Sequence, residues 1–485
     1  MKIGFVSLGC PKNLVDGEVM LGIARDAGHE IIADASSADV LVVNTCAFID
    51  SAKQESIDAI LEMAAQKRDG RCSRLVVTGC LAERYRDELK KEIPEIDALL
   101  GTGEVEGIVE AVGGPGLGTR DSGLEDARPR AVPLKFFAPT PTAERFDSRA
   151  PAPEHRAPAR EAPSYIYDAD TPRLLTTPRH FAYVKIAEGC DYTCAFCIIP
   201  TLRGSYRSRT AASIVREARA LAERGVRELL LISQDTTFYG IDRSERGALA
   251  RLLRELNAID GLRWIRLLYL YPTTITDDVL AAMAECEKVC RYVDLPLQHA
   301  SADVLKRMRR PGNRKTYDAL LSRIRARVPD VTLRTTFIVG FPGETDADFA
   351  ELESFVADTG FDHVGVFTYS HEEGTRAFGL ADDVTAAVKT RRRNGLMARQ
   401  KKIVARAHRA RIGTDVDLLV DGPSPDHPMV LQGRLEGQAP DIDSVVYLTD
   451  CDPSGIETGQ LIRARIVAAR GYDLVAAPYV HAPTR

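Results

Sequence analysis

Cys190, Cys194 and Cys197 stand in a C-x3-C-x2-C spacing directly after the apolar run 181–187. Spacing this tight turns three thiolates toward one point on a single loop, and soft thiolates suit iron-sulfur clusters and zinc. A [4Fe-4S] cube held by three of them keeps one iron without a protein ligand, open to chelate a substrate or cofactor. Structural zinc is the rival, and it would need a fourth Cys or His from elsewhere. A second set is spread out: Cys10 follows IGFVSLG, Cys46 follows VLVVNT and Cys80 follows LVVTG. No local CxxC announces it. In an open parallel sheet, however, each of the three would sit just past a strand's carboxyl end, where distant residues meet; separate buried thiols are the alternative. Cys72, Cys286, Cys290 and Cys451 fall outside both sets. They read as packed thiols, although Cys286 and Cys290 would share a helix face.

These cysteines need elements to hold them. Runs 3–8, 40–45 and 75–79 are short, apolar and separated by helix-length segments, the pattern of an α/β sheet with parallel pairing. Residues 14–26, 51–68 and 84–92 can supply its covering helices. From Phe181 six strand-like runs recur (181–187, 228–232, 263–268, 292–295, 332–339 and 363–367), with amphipathic stretches between them. That alternation favours a partial β/α barrel over a sandwich, and a fully closed eight-stranded barrel is not expected. After residue 411, DVDLLV, MVLQGRL, SVVYLTD and the run 460–479 are strands split by Gly, Pro and Asp turns, which suggests a small all-β barrel. The expected fold class is thus α/β multidomain.

Two segments break the pattern. Residues 115–178 contain eleven prolines and few apolar groups, and most of the span reads as a mobile linker or surface insertion. The stretch Lys389 to Arg411 has ten Lys or Arg and no Asp or Glu; a solvated helix is the plain reading, and anion, ribosomal RNA or interdomain contact are the others. Over all 485 residues, 64 basic against 69 acidic side chains give a net charge of -5, so the chain is not globally basic. Residues 411–485 carry six basic and eleven acidic groups, a poor surface for phosphates but an attractive one for a basic protein. The amino terminus has no signal-peptide pattern and no run of about 18–20 apolar residues occurs, so the expected compartment is the cytosol, with no membrane partner. No P-loop motif and no Ser-His-Asp constellation points to ATP or acyl chemistry. Trp264, in RWIRLLYLY, reads as core rather than as a stacking platform.

The cysteine loop with Tyr192 and Phe196 resembles the radical S-adenosylmethionine signature. With GCPKN at 9–13, NTC at 44–46, TGC at 78–80 and the final β-module, nearly the whole chain is similar to the radical S-adenosylmethionine methylthiotransferase family. The resemblance implies an N-terminal methylthiotransferase domain over 1–114 with an auxiliary [4Fe-4S] cluster on Cys10, Cys46 and Cys80. It implies a radical-SAM domain over 179–408 with a [4Fe-4S] cluster on Cys190, Cys194 and Cys197, and a TRAM domain over 409–478. S-adenosyl-L-methionine would bind the open iron of the latter cluster and, on reduction, yield a 5'-deoxyadenosyl radical; a second molecule would give the methyl group. Gln234, Asp235, Gln298 and Gly340, on loops at the carboxyl ends of barrel strands, are candidate cofactor contacts, with His299, Pro342 and Gly343 beside them. Each has an ordinary alternative as a turn or core residue.

One branch of that family modifies an adenosine in transfer RNA, the other an aspartate in a small-subunit ribosomal protein. GCPKNLVDGE, EGCDYTCAFCIIPTLRGSYRSR and LPLQHAS look closer to the second. The expected reaction is methylthiolation of the aspartate β-carbon in small-subunit ribosomal protein number twelve, giving 3-methylthioaspartate, with an external electron donor and a sulfur source. Transfer RNA is the alternative substrate, and a noncatalytic iron-sulfur protein on the ribosome the more distant alternative.

Overall fold

The computed structural model describes residues 1–113 and 162–479. The chain divides into two compact units: Met1–Thr176 with Gly189–Asp191 and Ile198–Ser205, and Thr177–Glu188 with Tyr192–Cys197 and Tyr206–Arg485.

In the first unit, β1 (Lys2–Ser7), α1 (Pro11–Asp26), β2 (Glu30–Ile32), β3 (Val40–Thr45), α2 (Asp50–Asp69), β4 (Arg74–Gly79), α3 (Cys80–Arg84), α4 (Arg86–Glu92), β5 (Ile96–Leu100) and α5 (Ile108–Ala111) follow in order. The sheet is all parallel, ordered β2-β1-β3-β4-β5. Every residue of β3 is buried, as expected for a central strand covered on both faces. The three expected strands are therefore the three central ones. The edges β2 and β5 escaped the reading because EII and IDALL carry charge in runs too short to show a period. The third helix is also corrected: it starts at Cys80 and breaks at Tyr85, which serves as the C-cap of α3 and the N-cap of α4. A short helix from downstream, α6 (Ile199–Arg203), belongs to this unit and places Ile198 and Leu202 in its core.

The linker expected at 115–178 falls mostly outside the described residues. Its described end, 162–176, has no helix or strand yet packs tightly on α1. Glu18 holds it: its carboxylate accepts from Arg173 Nε (2.9 Å) and Thr176 N (2.6 Å), and its carbonyl accepts from Leu174 N (2.9 Å). Gly22 makes the approach possible, since a Cβ there would lie 2.5 Å from the Pro172 carbonyl.

The second unit carries β6 (Phe181–Lys185), β7 (Ala187–Glu188), β8 (Arg207–Ser208), α7 (Ala211–Glu223), β9 (Glu228–Ile232), α8 (Ala248–Asn257), β10 (Trp264–Leu267), α9 (Asp277–Glu285), β11 (Tyr292–Asp294), α10 (Ala302–Arg307), α11 (Arg314–Arg327), β12 (Thr332–Val339), α12 (Asp346–Thr359), β13 (His363–Thr368) and α13 (Ala386–Arg411). Two parallel three-stranded sheets, β10-β9-β6 and β11-β12-β13, are linked by a parallel bridge between Ile265 and Val289. All six expected strands are present and the barrel is partial. The first of them is shorter than the run 181–187, because a break at Ile186 separates β6 from β7.

The chain then closes a five-stranded barrel from β14 (Asp415–Pro423), β15 (Leu431–Arg434), β16 (Val446–Leu448), β17 (Leu461–Arg470) and β18 (Asp473–Pro478), around Leu418, Val420, Val446, Ile466 and Leu474. It docks at the amino ends of the partial-barrel strands. Arg434 pairs with Glu228 at the start of β9 (2.7 Å), Tyr292 at the start of β11 donates to Asp443 (2.6 Å), and His363 at the start of β13 bonds the Gly437 carbonyl (2.8 Å).

This docking uses part of the acidic charge read from the sequence. Asp421 is taken up by Arg434 and His180, Asp441 by Tyr183 and Asp443 by Arg334, so three of the module's eleven acidic groups are engaged at its attachment. The basic helix is corrected as well. One side of α13 is buried, at Lys389, Arg392, Leu396, Gln400 and Val404.

Candidate cluster and cofactor sites

In the first unit β1, β3 and β4 are adjacent and parallel, so their carboxyl ends lie side by side, about 4.8 Å between neighbours. Cys10 is the N-cap of α1, Cys46 follows β3 and Cys80 opens α3. Left-handed glycines make the turns: Gly9 (φ 88°) before Cys10 and Gly79 (φ 92°) before Cys80. Gly9 also lies against Cys46, where a Cβ would come within 3.1 Å of the thiol sulfur. The turns are tied together. Asn13 Nδ2 donates to the Leu8 and Thr45 carbonyls (2.7 and 3.2 Å), Thr45 Oγ1 donates to Thr78 O (2.6 Å), and Ser56 Oγ both accepts from Cys46 N and donates to Cys46 O (2.9 Å each).

The thiols range from exposed Cys10 through half-buried Cys46 to buried Cys80. Burial, and then the neighbouring Cys80 and Cys10 thiolates, push the Cys46 thiol up to about 12. Burial raises the Cys80 thiol as well, and buried thiols that resist ionisation suit a cation, which would offset the cost of their charge. Arg203 on α6 already supplies some positive charge: its Nη2 donates to Cys80 Sγ (3.6 Å), and its Nη1 pairs with Asp16.

Cys190 belongs to the first unit, where its N–H donates to the Gly204 carbonyl (3.0 Å). Cys194 and Cys197 belong to the second, with Cys197 N donating to Cys194 O (3.2 Å). Their loop is clamped at Ala195: its N–H donates to Met308 O (2.8 Å) just beyond α10, and its carbonyl accepts from Ala377 N (2.7 Å). Ala195 packs there with Val304, Met308, Phe341 and Tyr369. Arg310 Nη1 approaches Cys194 Sγ at 3.8 Å, its Nη2 donates to Pro296 O (2.6 Å), and its guanidinium lies 4.1 Å from the Tyr271 ring centre. Tyr271 stacks on Tyr192 at 3.9 Å, and Tyr192 donates to Asp235 (2.8 Å).

Among the described residues no three His, Cys, Asp or Glu side chains are drawn in tightly enough for one metal ion. A cube makes a looser demand, because each thiolate takes its own iron.

The candidate cofactor contacts divide. Asp235 reaches the cysteine loop through Tyr192, but its carboxylate is occupied, accepting also from Thr237 N (2.9 Å) and Thr274 Oγ1 (3.1 Å). Gln234 donates to Glu188, which pairs with Lys185, and the Gln234 Oε1 is buried with no donor among the described residues. Gln298, at φ 73°, is bridged to β12, and its Oε1 is likewise buried without a donor. Two orphaned acceptors at the strands' carboxyl ends fit a ligand rich in N–H and O–H groups, as S-adenosylmethionine is. Gly340 faces elsewhere: its N–H donates to Glu344, and a Cβ would strike the Lys389 stem at 2.3 Å. His299 is buried, its Nδ1 accepting from Ser301 N (3.0 Å), and burial pushes it down to about 3. Gly343 donates to Asp383 (2.8 Å) in a left-handed turn (φ 76°). Arg203 and Arg310, which touch the thiols, were missed. Their sequence signals, TLRG and RMRRPG, look like surface charge.

Three family models match the chain: "Uncharacterized protein family UPF0004" over residues 2–101, "Radical SAM superfamily" over 184–356 and "TRAM domain" over 412–478. A solved structure of the radical S-adenosylmethionine methyltransferase TsrM from Kitasatospora setae, with tryptophan and a SAM analogue bound, is similar at TM-score 0.52 and 14% identity, covering 83% of this chain and 89% of that one, a likeness of fold alone. Sheet, partial barrel and cysteine loop thus define a radical S-adenosylmethionine enzyme of the methylthiotransferase class, whose cofactors are S-adenosylmethionine and [4Fe-4S] clusters. Two relatives named "Ribosomal protein uS12 methylthiotransferase RimO" narrow this further. That of Koribacter versatilis is 46% identical, covering 98% of this chain and 96% of its own, and that of Symbiobacterium thermophilum is 47% identical, covering 98% and 90%. The chain belongs to the RimO family of ribosomal protein uS12 methylthiotransferases.

Proposed function

We propose that this chain methylthiolates the β-carbon of an aspartate in ribosomal protein uS12, with Cys10, Cys46 and Cys80 holding the auxiliary [4Fe-4S] cluster and Cys190, Cys194 and Cys197 the radical-SAM cluster. The single observation that carries the reading is identity of 46% to a RimO protein over 98% of the chain. Bound there, the clusters and S-adenosylmethionine supply hydrogen abstraction from an unactivated carbon and a methyl-bearing sulfur.

The residues around them position and insulate. Asp235 fixes the Tyr192 hydroxyl, which fixes the ring stacked on Tyr271, and Arg310 above Tyr271 meets the charge on Cys194. Arg203 does the same for Cys80. Gln234 and Gln298 offer acceptors to the amino and hydroxyl groups of S-adenosylmethionine. Phe341, Tyr369 and Met308 pack behind Ala195 and exclude water from that side of the cysteine loop.

The test is anaerobic reconstitution with iron and sulfide, then incubation with reductant, S-adenosylmethionine, uS12 and transfer RNA, read by mass analysis. A methylthio group on a uS12 aspartate is expected; modification of the RNA alone would overturn the substrate assignment. Cys194→Ala should abolish S-adenosylmethionine cleavage and remove about half the iron. Cys46→Ala should remove the other half and stop sulfur insertion while cleavage persists.

A further inference from the structure

We infer that the outer face of α13 is a docking ridge for the phosphate backbone of structured RNA. This rests on the reading of uS12 as substrate and adds a second contact to it.

Helix α13 carries ten Lys or Arg between 389 and 411 and no acid. The two that are buried have carboxylate partners: Lys389 pairs with Asp382, and Arg392 with Glu344 and Asp346. The other eight are exposed. Among the described residues only Arg399 of these eight has a carboxylate within ion-pair distance, Glu353 at 3.7 Å.

Their placement makes a ridge. At 100° per residue, Arg391, Arg399, Lys402, Arg406 and Arg409 fall within about 80° of one another, on an arc beside the buried one and clear of it, over a length of about 27 Å. The ridge also has a direction. At its start Lys389 reaches the Tyr369 carbonyl beyond the carboxyl end of β13. Further along, Gln400 donates to Phe361 O (2.8 Å) just before β13 begins, and the closing turn leads into the small barrel. The helix thus runs down the outside of the partial barrel, from the mouth where the cysteine loop lies to the docked module.

A row of cations, all but Arg399 without a carboxylate partner among the described residues and with no apolar residue at the ridge positions, suits a polyanion rather than a membrane or an apolar groove. A-form RNA presents its backbone phosphates in such rows and is recognised mainly through them. A ribosomal protein held among RNA helices would offer that surface beside its target aspartate. RNA gripped along α13 would then bring the protein to the mouth.

The experiment uses the full-length reconstituted enzyme and a fluorescent 24-base-pair RNA duplex, titrated across KCl concentrations. Replacing Arg391, Lys402, Arg406 and Arg409 together by Gln should weaken binding at least tenfold near 0.1 M salt. Each lost phosphate contact should also flatten the log–log salt slope by about 0.9. The control Arg393→Gln with Lys401→Gln removes charge from the same helix off the ridge and should cost much less. On assembled small subunits the ridge variant should modify uS12 more slowly, while its rate on isolated uS12 stays at the wild-type level. Unchanged affinity and slope, equal losses from ridge and control, or preference for polyglutamate over RNA would overturn the proposal. Failure of the wild-type enzyme to modify either form of uS12 would instead overturn the substrate reading, whatever the RNA data.

Discussion

Arg203 shows how a residue that reads as surface charge becomes part of a buried site. Its side chain is 3% exposed and that of its partner Asp16 7% exposed, while Cys80 lies within hydrogen-bond reach. Removing one member of a buried ion pair leaves the other uncompensated, so Arg203→Ala should cost about 3–5 kcal/mol in denaturant unfolding of the metal-free protein. Arg203→Lys should recover part of that, since it keeps the charge and loses the fork. His299 gives a pH signature. Burial holds it neutral, at about 3 against an ordinary 6.5, so the unfolded chain binds more protons between those values. Its contribution to stability is intact above pH 6.5 and is lost as pH falls toward 3. The midpoint of thermal unfolding should drop from pH 7 to pH 5, and His299→Asn should shrink that drop. The positions of the six cysteines, one tight loop and three strand ends, were legible because apolar runs mark the strands they follow. Arg203 and Arg310 were not, because an arginine's burial depends on which carboxylate or ring meets it in three dimensions. Asp235 was legible as a loop residue beyond a strand's carboxyl end but not in its bonding, since Tyr192, Thr237 and Thr274 come from three separate loops.

At the scale of elements, buried parallel strands such as β3, β4, β6 and β9 declare themselves as near-continuous apolar runs and β12, buried at every second residue, as an alternation, which is why the central strands of the first sheet and the six strands of the partial barrel could be read from the chain. Elements whose stability comes from neighbours could not. The edge strands β2 and β5 have too little apolar length, and the segment 162–176 looks like linker because it has no periodicity. What orders that segment is the carboxylate of Glu18, 0% exposed, and the bare backbone at Gly22. A methyl at Gly22 would meet the Pro172 and Arg173 backbone at 2.5 Å, so Gly22→Ala should displace the segment at a cost of about 1–3 kcal/mol. Limited proteolysis is the direct readout: cleavage between residues 162 and 176 should accelerate in the variant. Equal cleavage rates would mean that the segment yields to the methyl without leaving α1.

For the second unit as a whole, chemistry and attachment lie at opposite ends of the same strands. The cysteine loop and the orphaned glutamine acceptors sit at carboxyl ends, and the small barrel is fixed at amino ends, so the contacts that hold the module are separate from the groups that line the mouth. Its attachment is a buried charge network rather than an apolar seam. Arg434 bonds Asp421 and Glu228, and Arg266 bonds the same glutamate; the two arginines and Glu228 are out of solvent and Asp421 is 14% exposed. Burial alone would push Glu228 upward, but Arg434 and Arg266 outweigh it and hold its carboxyl below the ordinary range; Asp421 is held down by Arg434 and His180 against the same penalty. Carboxylates lowered in the folded state lend stability that is present above their unfolded pKa and fades as pH falls through the folded one, so the attachment should weaken below about pH 4. Arg434→Ala should act at neutral pH, because it strips Asp421 of its principal cation while Glu228 keeps only Arg266. A loss of about 3 kcal/mol is expected. If the network is what fixes the module, the variant should release it before the partial barrel melts, giving one thermal transition more than the wild type, with new proteolytic sites near residue 412. A single transition lowered in temperature would show instead that barrel and module unfold as one body even with the network cut.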